Sequence, residues 1–235
     1  MIPIGDDGRR MPFPLVVYAI VAINIWVYVQ EVRAGAGADA FITAFAAIPY
    51  DVTHSVVLPP PSPPLPLLTI VTAMFVHGGL AHIFFNLLFL IVFGPGVEFL
   101  CGHLRFAAFY LVCGIAAGLA QIAASPSSHV PTLGASGAIA GVLGAYLVNF
   151  PFASVRTIVP IGCFPLFIRL PALLVIGVWA LVQFLTGFGS LSSRAAESQA
   201  GIAYFAHIGG FCAGVLVIGL FKIRTVDGRA LMRRR

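Results

Sequence analysis

Apolar residues fall into six runs, each bounded by a break that carries charge, proline or glycine. The runs cover about Pro12 to Gln30, Leu80 to Leu100, Phe106 to Ala124, Ser136 to Phe150, Pro171 to Phe188 and Ile202 to Phe221. Most approach the roughly 20 residues that a helix needs to cross the hydrocarbon of a bilayer. Pro171 suits the first turn of its helix, where a missing N–H leaves no bond unmade. The pattern predicts six membrane-spanning helices. Residues 31–66, between the first two runs, end in the proline cluster Pro59-Pro60-Pro61-Ser62-Pro63-Pro64. This segment is too long for a bare linker and contains Phe41-Ile42 and Phe45-Ala46-Ala47-Ile48, so it is expected to hold short helical structure.

Composition turns the pattern into a class. The 235 residues are 60% hydrophobic and 9% charged, against about 25% charged in a soluble domain. Such a surface is suited to lipid, which excludes disorder and a water-soluble enzyme. The net charge is +5, and its distribution sets an orientation. With the N-terminus inside, inner segments hold Arg9, Arg10, Arg105, Arg156, Arg169, Lys222, Arg224, Arg229, Arg233, Arg234 and Arg235, or 11 of the 13 basic residues. Only Arg33 and Arg194 lie outside. Both termini are therefore expected in the cytoplasm, and the basic tail reads as a topology signal with no nucleic-acid partner. The chain divides into an N-terminal segment (1–11), a membrane domain (12–222) and the tail (223–235). Cys101, Cys113, Cys163 and Cys212 show no paired spacing, so neither a disulfide framework nor a zinc site is expected.

Polar side chains inside spans are costly and default to functional candidates. His82, Asn86, Ser136 and His207 stand out, with His77 before the second run and Glu98 near its end. Asn24, Gln121 and Gln183 are each isolated from other polar groups nearby in sequence, and hydrogen-bonding glue between helices is the ordinary use of such residues. Ser136 lies in Gly134-Ala135-Ser136-Gly137-Ala138, which departs from the G-x-S-x-G elbow at Ala138. A helix N-cap is the plain reading of that serine. Yet its run spans only 15 residues, about 22 Å of helix against a hydrocarbon core of about 30 Å. Ser136 is then sunk roughly 8 Å below the outer boundary, where backbone is tolerated only against protein or a water-filled cavity. His207 lies at a similar depth in the sixth run, about 8 Å from the same face. His82 and Asn86 are i and i+4 on one helical face, with His82 roughly 24 Å above Glu98. Gly137 with Gly141, and Gly210 with Gly214 on the face of His207, permit close approach of those two helices.

This set points to nucleophilic catalysis. Ser136 would attack a carbonyl, and His207 would take its proton as general base and return it to the leaving amine. The fourth and sixth runs hold no Asp or Glu, so the pair is a dyad. Free N–H groups at the start of the fourth helix, that of Ser136 included, and the side chains of His82 and Asn86 would stabilise an oxyanion. In the segments His77-Gly78-Gly79-Leu80-Ala81-His82-Ile83-Phe84-Phe85-Asn86, Gly134-Ala135-Ser136-Gly137 and Ala206-His207-Ile208-Gly209-Gly210, the chain resembles the rhomboid family of intramembrane serine proteases. The order and spacing match, as does Glu98…Gly102…Arg105, and the likeness covers about residues 65–222. It implies Ser136 and His207 as the catalytic dyad and His82 and Asn86 in the oxyanion hole. The position four after the serine, often a tyrosine packed on the histidine in that family, is Ala140 here. The first loop lacks the Trp-Arg pair that some members carry.

The expectation is an all-α, six-transmembrane-helix rhomboid-like bundle with a large first external loop. Its implied activity is cleavage of transmembrane protein substrates near the outer membrane face, without metal or organic cofactor. The simple architecture suits a prokaryotic plasma membrane, with lipids as the other partners. Two alternatives stand beside it: an inactive rhomboid-like protein that binds membrane clients, and a small transporter. The first would be marked by loss of Ser136 or His207, and the second by broken midplane helices or repeats; none of these is evident. His77 is read as structural, Glu98 and Arg105 as an inner-face network, and Phe85, Trp179 and Phe184 as packing or lipid contacts, with a substrate-gate role as the alternative. The fifth span, lacking catalytic residues, is the candidate gate.

Overall fold

The computed structural model describes residues 1–6, 12–162, 164–191 and 203–224. Arg9, Arg10, Cys163, Arg194 and the tail from 225 lie outside them. In chain order the elements begin with β1 (Ile2–Asp6) and α1 (Leu15–Arg33). Two short helices follow in the first loop, α2 (Ala38–Phe45) and α3 (Pro49–His54), and then the single turn α4 (Thr69–Thr72). The remaining elements are α5 (Leu80–Cys101), α6 (His103–Ala124), α7 (Ser136–Asn149), β2 (Ser154–Ile161), β3 (Phe164–Pro171), α8 (Ala172–Leu191) and α9 (Tyr204–Phe221).

Five of these helices, α1, α5, α6, α8 and α9, are long and apolar enough to cross a bilayer. They expose large apolar side chains such as Trp26, Leu185, Leu216 and Leu220, a surface that lipid rather than water can cover. With the short α7 they make the expected six-helix bundle. At 14 residues, α7 is about 21 Å long, and it is buried without interruption from Gly137 to Tyr146. It packs against α5, α6 and α9.

Glycine makes this packing possible. A Cβ at Gly210 would collide with the carbonyl oxygen of Gly137, and one at Gly214 with that of Gly141. The backbones of α7 and α9 therefore touch with no side chain between them, the arrangement that small-xxx-small spacing allows in lipid. Toward the far end of α7 the bundle is filled by Phe93, Phe106, Phe109, Tyr110, Tyr146 and Phe150, all fully buried.

A three-stranded antiparallel sheet, order β1-β2-β3, closes that end. β2 pairs with β3 from Ser154↔Pro171 to Ile161↔Phe164, and β1 pairs with β2 from Ile2↔Ile158 to Asp6↔Val155. The sheet lay outside the all-α expectation. Its signal is the β-branched series Val155, Thr157, Ile158, Val159 and Ile161 ahead of Gly162, a strand-and-turn pattern. Val155 is fully buried, and Tyr146 Oη donates to Asp6 Oδ2, which ties β1 to α7.

The same end holds the Glu98 network, with one partner changed. Glu98 accepts from the backbone N–H of Val16 at 2.9 Å and Val17 at 2.8 Å, and from His103 Nδ1 at 2.5 Å. Arg105 is exposed and is not among these partners. A buried carboxylate finds a better site at the start of α1, whose first N–H groups have no intrahelical acceptors. The chain leaving α9 returns here too, Ile223 N bonding Leu100 O.

The first loop contains helices as expected, and it grips the segment ahead of Ser136. Ala47 pairs with Thr132, Tyr50 N bonds Ser128 O, and Thr53 Oγ1 donates to Pro126 O. Cys101, Cys113 and Cys212 are free thiols.

The glycine contact makes a contrast within one helix. Gly210→Ala pushes a methyl into the α7 backbone and should destabilise the protein by about 1–3 kcal/mol, the usual overpacking cost. Gly219 has nothing within reach of its added Cβ, so Gly219→Ala should be neutral or mildly stabilising. Thermal melting in detergent reads both, and equal effects would contradict the close α7–α9 packing.

Candidate active site

Where α7 and α9 meet at the end opposite the sheet, their polar residues face each other. Ser136 opens α7 and His207 lies in the first turn of α9. Ser136 Oγ is 2.8 Å from His207 Nε2. The serine makes no capping bond; the N-cap position belongs to Ala135. Its hydroxyl is thus directed at the imidazole rather than at its own helix.

His82 and Asn86, one turn apart on α5, approach the same place. An added Cβ at Gly134 would stand 2.7 Å from His82 Nε2 and 3.7 Å from Asn86 Nδ2. Gly134 also has φ +112°, a conformation that favours glycine. Only a residue without a side chain lets the strand ahead of Ser136 pass so close to both donors. Asn86 is buried, and among the described residues its Nδ2 has no hydrogen-bond partner. A buried donor left unpaired costs stability and calls for an explanation.

These groups line one cavity of about 490 Å³. Its floor and walls are apolar, formed by Phe85, Phe89, Ile139, Leu143 and Trp179, and its polar residues are His82, Asn86, Ser136, Gln183 and His207. Phe85 and Trp179 thus border the cavity, whereas Phe184 stacks on Phe188. Among the described residues no group of three or more His, Cys, Asp or Glu could hold a metal.

Comparison with known proteins supplies the family. The family model for the Rhomboid domain matches residues 65–224. The chain belongs to the rhomboid family. It is 44% identical over 78 residues to rhomboid protease GluP of Bacillus subtilis (strain 168), a match covering 33% of this chain and 15% of that protein. It is 31% identical over 153 residues to Rhomboid protein 1, mitochondrial, of Saccharomyces cerevisiae, covering 63% of this chain and 40% of the relative. RHOMBOID-like protein 4 of Arabidopsis thaliana is 28% identical over 156 residues, covering 65% and 33%. The matches therefore span less than half the length of these rhomboid relatives.

Sequence reasoning left two residues of this rhomboid site out. Gln183 Oε1, from α8, is 2.8 Å from His207 Nδ1. Trp179, one turn earlier, packs its ring 5.9 Å from the imidazole. Both come from a helix remote in sequence from Ser136, but both lie on one face of α8, at i and i+4. That spacing was the available signal. The place of Ala140 is fully buried and offers no ring. Gln121 is also engaged, accepting from Ala206 N at 3.3 Å.

His77 is not among the residues lining the cavity, but its ring stands edge-on 5.2 Å from that of His82, and its buried Nε2 has no hydrogen-bond partner among the described residues. Its backbone N–H donates to Glu31 Oε2 at 3.1 Å, and Nδ1–H donates to Phe75 O at 3.2 Å. Burial, with His82 adding to it, pushes its pKa down to about 4, against the smaller opposing effect of the Phe75 bond. The unfolded chain binds this proton near pH 6.5 and the folded chain near 4. The stability it contributes is therefore full above pH 6.5 and is lost as pH falls toward 4. The difference is on the order of 3 kcal/mol. Melting of the wild type should drop across that window more steeply than melting of His77→Phe; parallel curves would show that His77 does not stay neutral.

Proposed function

We propose that this rhomboid-family protein is an intramembrane serine endopeptidase that cleaves transmembrane substrates near the outer membrane face. The observation that carries the reading is the 2.8 Å contact between Ser136 Oγ and His207 Nε2 at a cavity within the bundle. His207 takes the serine proton as Oγ forms its bond to the scissile carbonyl carbon. The carbonyl oxygen becomes an oxyanion, which the N–H of Ser136 and the donors of His82 and Asn86 stabilise. Collapse breaks the C–N bond, and the proton on His207 goes to the leaving amine. Water, deprotonated by His207, then releases the acyl group from Ser136 and regenerates the site.

The basic residues give the orientation of this reading. The sheet end, with Arg105, Arg156, Arg169, Lys222 and Arg224, faces the cytoplasm, and the cavity lies toward the outer face. Both termini are then cytoplasmic, and the membrane domain covers residues 12–222. A transmembrane peptide reaches such a cavity from the side. The exposed apolar face of α8, with Leu174, Val178, Leu181 and Leu185, fits a helix that parts from the bundle, with Trp179 and Phe85 at the opening.

A fluorophosphonate label should react with the purified wild type and leave Ser136→Ala unmodified; equal labelling would remove the nucleophile. His207→Ala should likewise cut labelling and peptide cleavage to background. Asn86→Ala tests the oxyanion role separately. Losing one such donor typically lowers kcat about 10²–10³-fold, or roughly 3–4 kcal/mol. KM should hold, because the oxyanion exists only in the transition state. A folded Asn86→Ala protein with wild-type kcat on a fluorogenic transmembrane peptide would make the asparagine helix glue.

A further inference from the structure

A neutral imidazole carries one N–H and one lone pair, on different nitrogens. To accept the serine proton, His207 must hold its lone pair on Nε2, which places its own proton on Nδ1. That proton needs an acceptor, because a buried N–H left unpaired is unfavourable. Among the described residues the hydrogen-bond partner of Nδ1 is Gln183 Oε1, at 2.8 Å. Among the described residues no carboxylate is a hydrogen-bond partner of the ring, and Ala140 provides no ring to pack on it.

We propose that Gln183 is the positioning residue of the site: its amide oxygen fixes the tautomer and orientation of His207 that aim a lone pair at Ser136. This rests on the protease reading above. A Gln183 amide turned to present its NH₂ would demand the lone pair on Nδ1 and the proton on Nε2. The Ser136–His207 bond would survive, but with the histidine donating and no base available. The orientation of one neutral amide thus separates a competent dyad from an idle one.

The placement of Gln183 gives this a second consequence. Trp179 and Gln183 share one face of α8, and one packs on the imidazole while the other bonds it. Ser136 and His207 belong to the glycine-locked pair α7 and α9, whereas among the described residues the Nδ1 partner and the tryptophan ring beside His207 come from α8. A peptide that displaces α8 therefore loosens the base, which is restored when α8 packs back on α9. The plainer role for Gln183 is a polar tie between α8 and α9. A tie alters helix packing; it does not select a tautomer.

The test uses the full chain in detergent with two substitutions of similar size. Gln183→Met keeps the volume and removes the acceptor, and Gln183→Glu keeps an oxygen in place. Gln183→Met should lower kcat about 10²-fold, at the low end of what a positioned base contributes, with KM within about twofold. Gln183→Glu should recover at least about tenfold over Gln183→Met. Wild-type kcat in Gln183→Met, or equal losses in both variants, would overturn the proposal. Selective ¹⁵N-histidine spectra of the wild type, assigned with His207→Phe, read the tautomer without any Gln183 variant. A protonated Nδ1 with a bare Nε2 is the expected signature, and the reverse overturns the proposal even if Gln183→Met fails to fold. Absence of labelling and cleavage in the wild type would instead strike the protease reading, and the spectra would still decide what Gln183 does.

Discussion

A hydroxyl and an imidazole sunk in a membrane protein must find each other, because lipid offers neither a partner. In this fold that requirement is met by bringing two helix backbones into direct contact. Gly210 and Gly214 of α9 lie against the carbonyl oxygens of Gly137 and Gly141 of α7, one turn and two turns beyond the histidine. At that separation the first turns of the two helices can only place Ser136 and His207 side by side. The short length of α7 belongs to the same constraint, since a longer helix would carry the serine to the membrane surface. Its burial on all sides keeps the shortened helix away from lipid.

The bundle differs in packing along its axis. At the sheet end, aromatic side chains fill the interior, Glu98 holds the start of α1, and β1 is tied to α7 through Tyr146 and Asp6. Glu98 and Tyr146 are engaged there by close partners, whereas the buried Tyr110 hydroxyl has no hydrogen-bond partner among the described residues. Toward the other end packing gives way to a cavity, and Asn86 keeps a buried donor unpaired. In the proposed mechanism a packed sheet end would hold the donors of the cavity in position for charge that develops only during reaction. The first loop adds to this by gripping residues 126–132, so that the chain leading to Ser136 is held from both sides.

Legibility followed the range of each interaction. The six runs, the recessed start of the fourth, and the i, i+4 pair His82 and Asn86 follow from local periodicity and length, so they could be read directly. Ser136 and His207 could be matched in depth because each is measured from the end of its own helix. The sheet depends on pairing between residues 2–6 and 154–161, a long-range contact hidden among apolar segments that all read alike. The partner of Glu98 was misjudged for a related reason. Arg105 is near in sequence, but the N–H groups of Val16 and Val17, about 80 positions away, are the better match for a buried carboxylate. Gln183 had no ionisable neighbour nearby in the chain, and its proposed role comes from a ring on another helix.

The choice of an amide to support His207 follows from the solvent. A carboxylate at the centre of a membrane helix carries a penalty of about 2.5–3.5 kcal/mol on insertion scales, and more on others. A glutamine accepts the same Nδ1–H bond with no net charge, so α8 stays apolar enough to lie against lipid. In the proposed mechanism the cost is electrostatic, because a neutral acceptor would do little to stabilise the imidazolium formed when the serine proton is taken. In that mechanism a dyad supported in this way would draw more of its rate from geometry and from donors facing the opposite charge. The unpaired amide of Asn86 and the close pass of Gly134 beneath His82 are where this structure concentrates those donors.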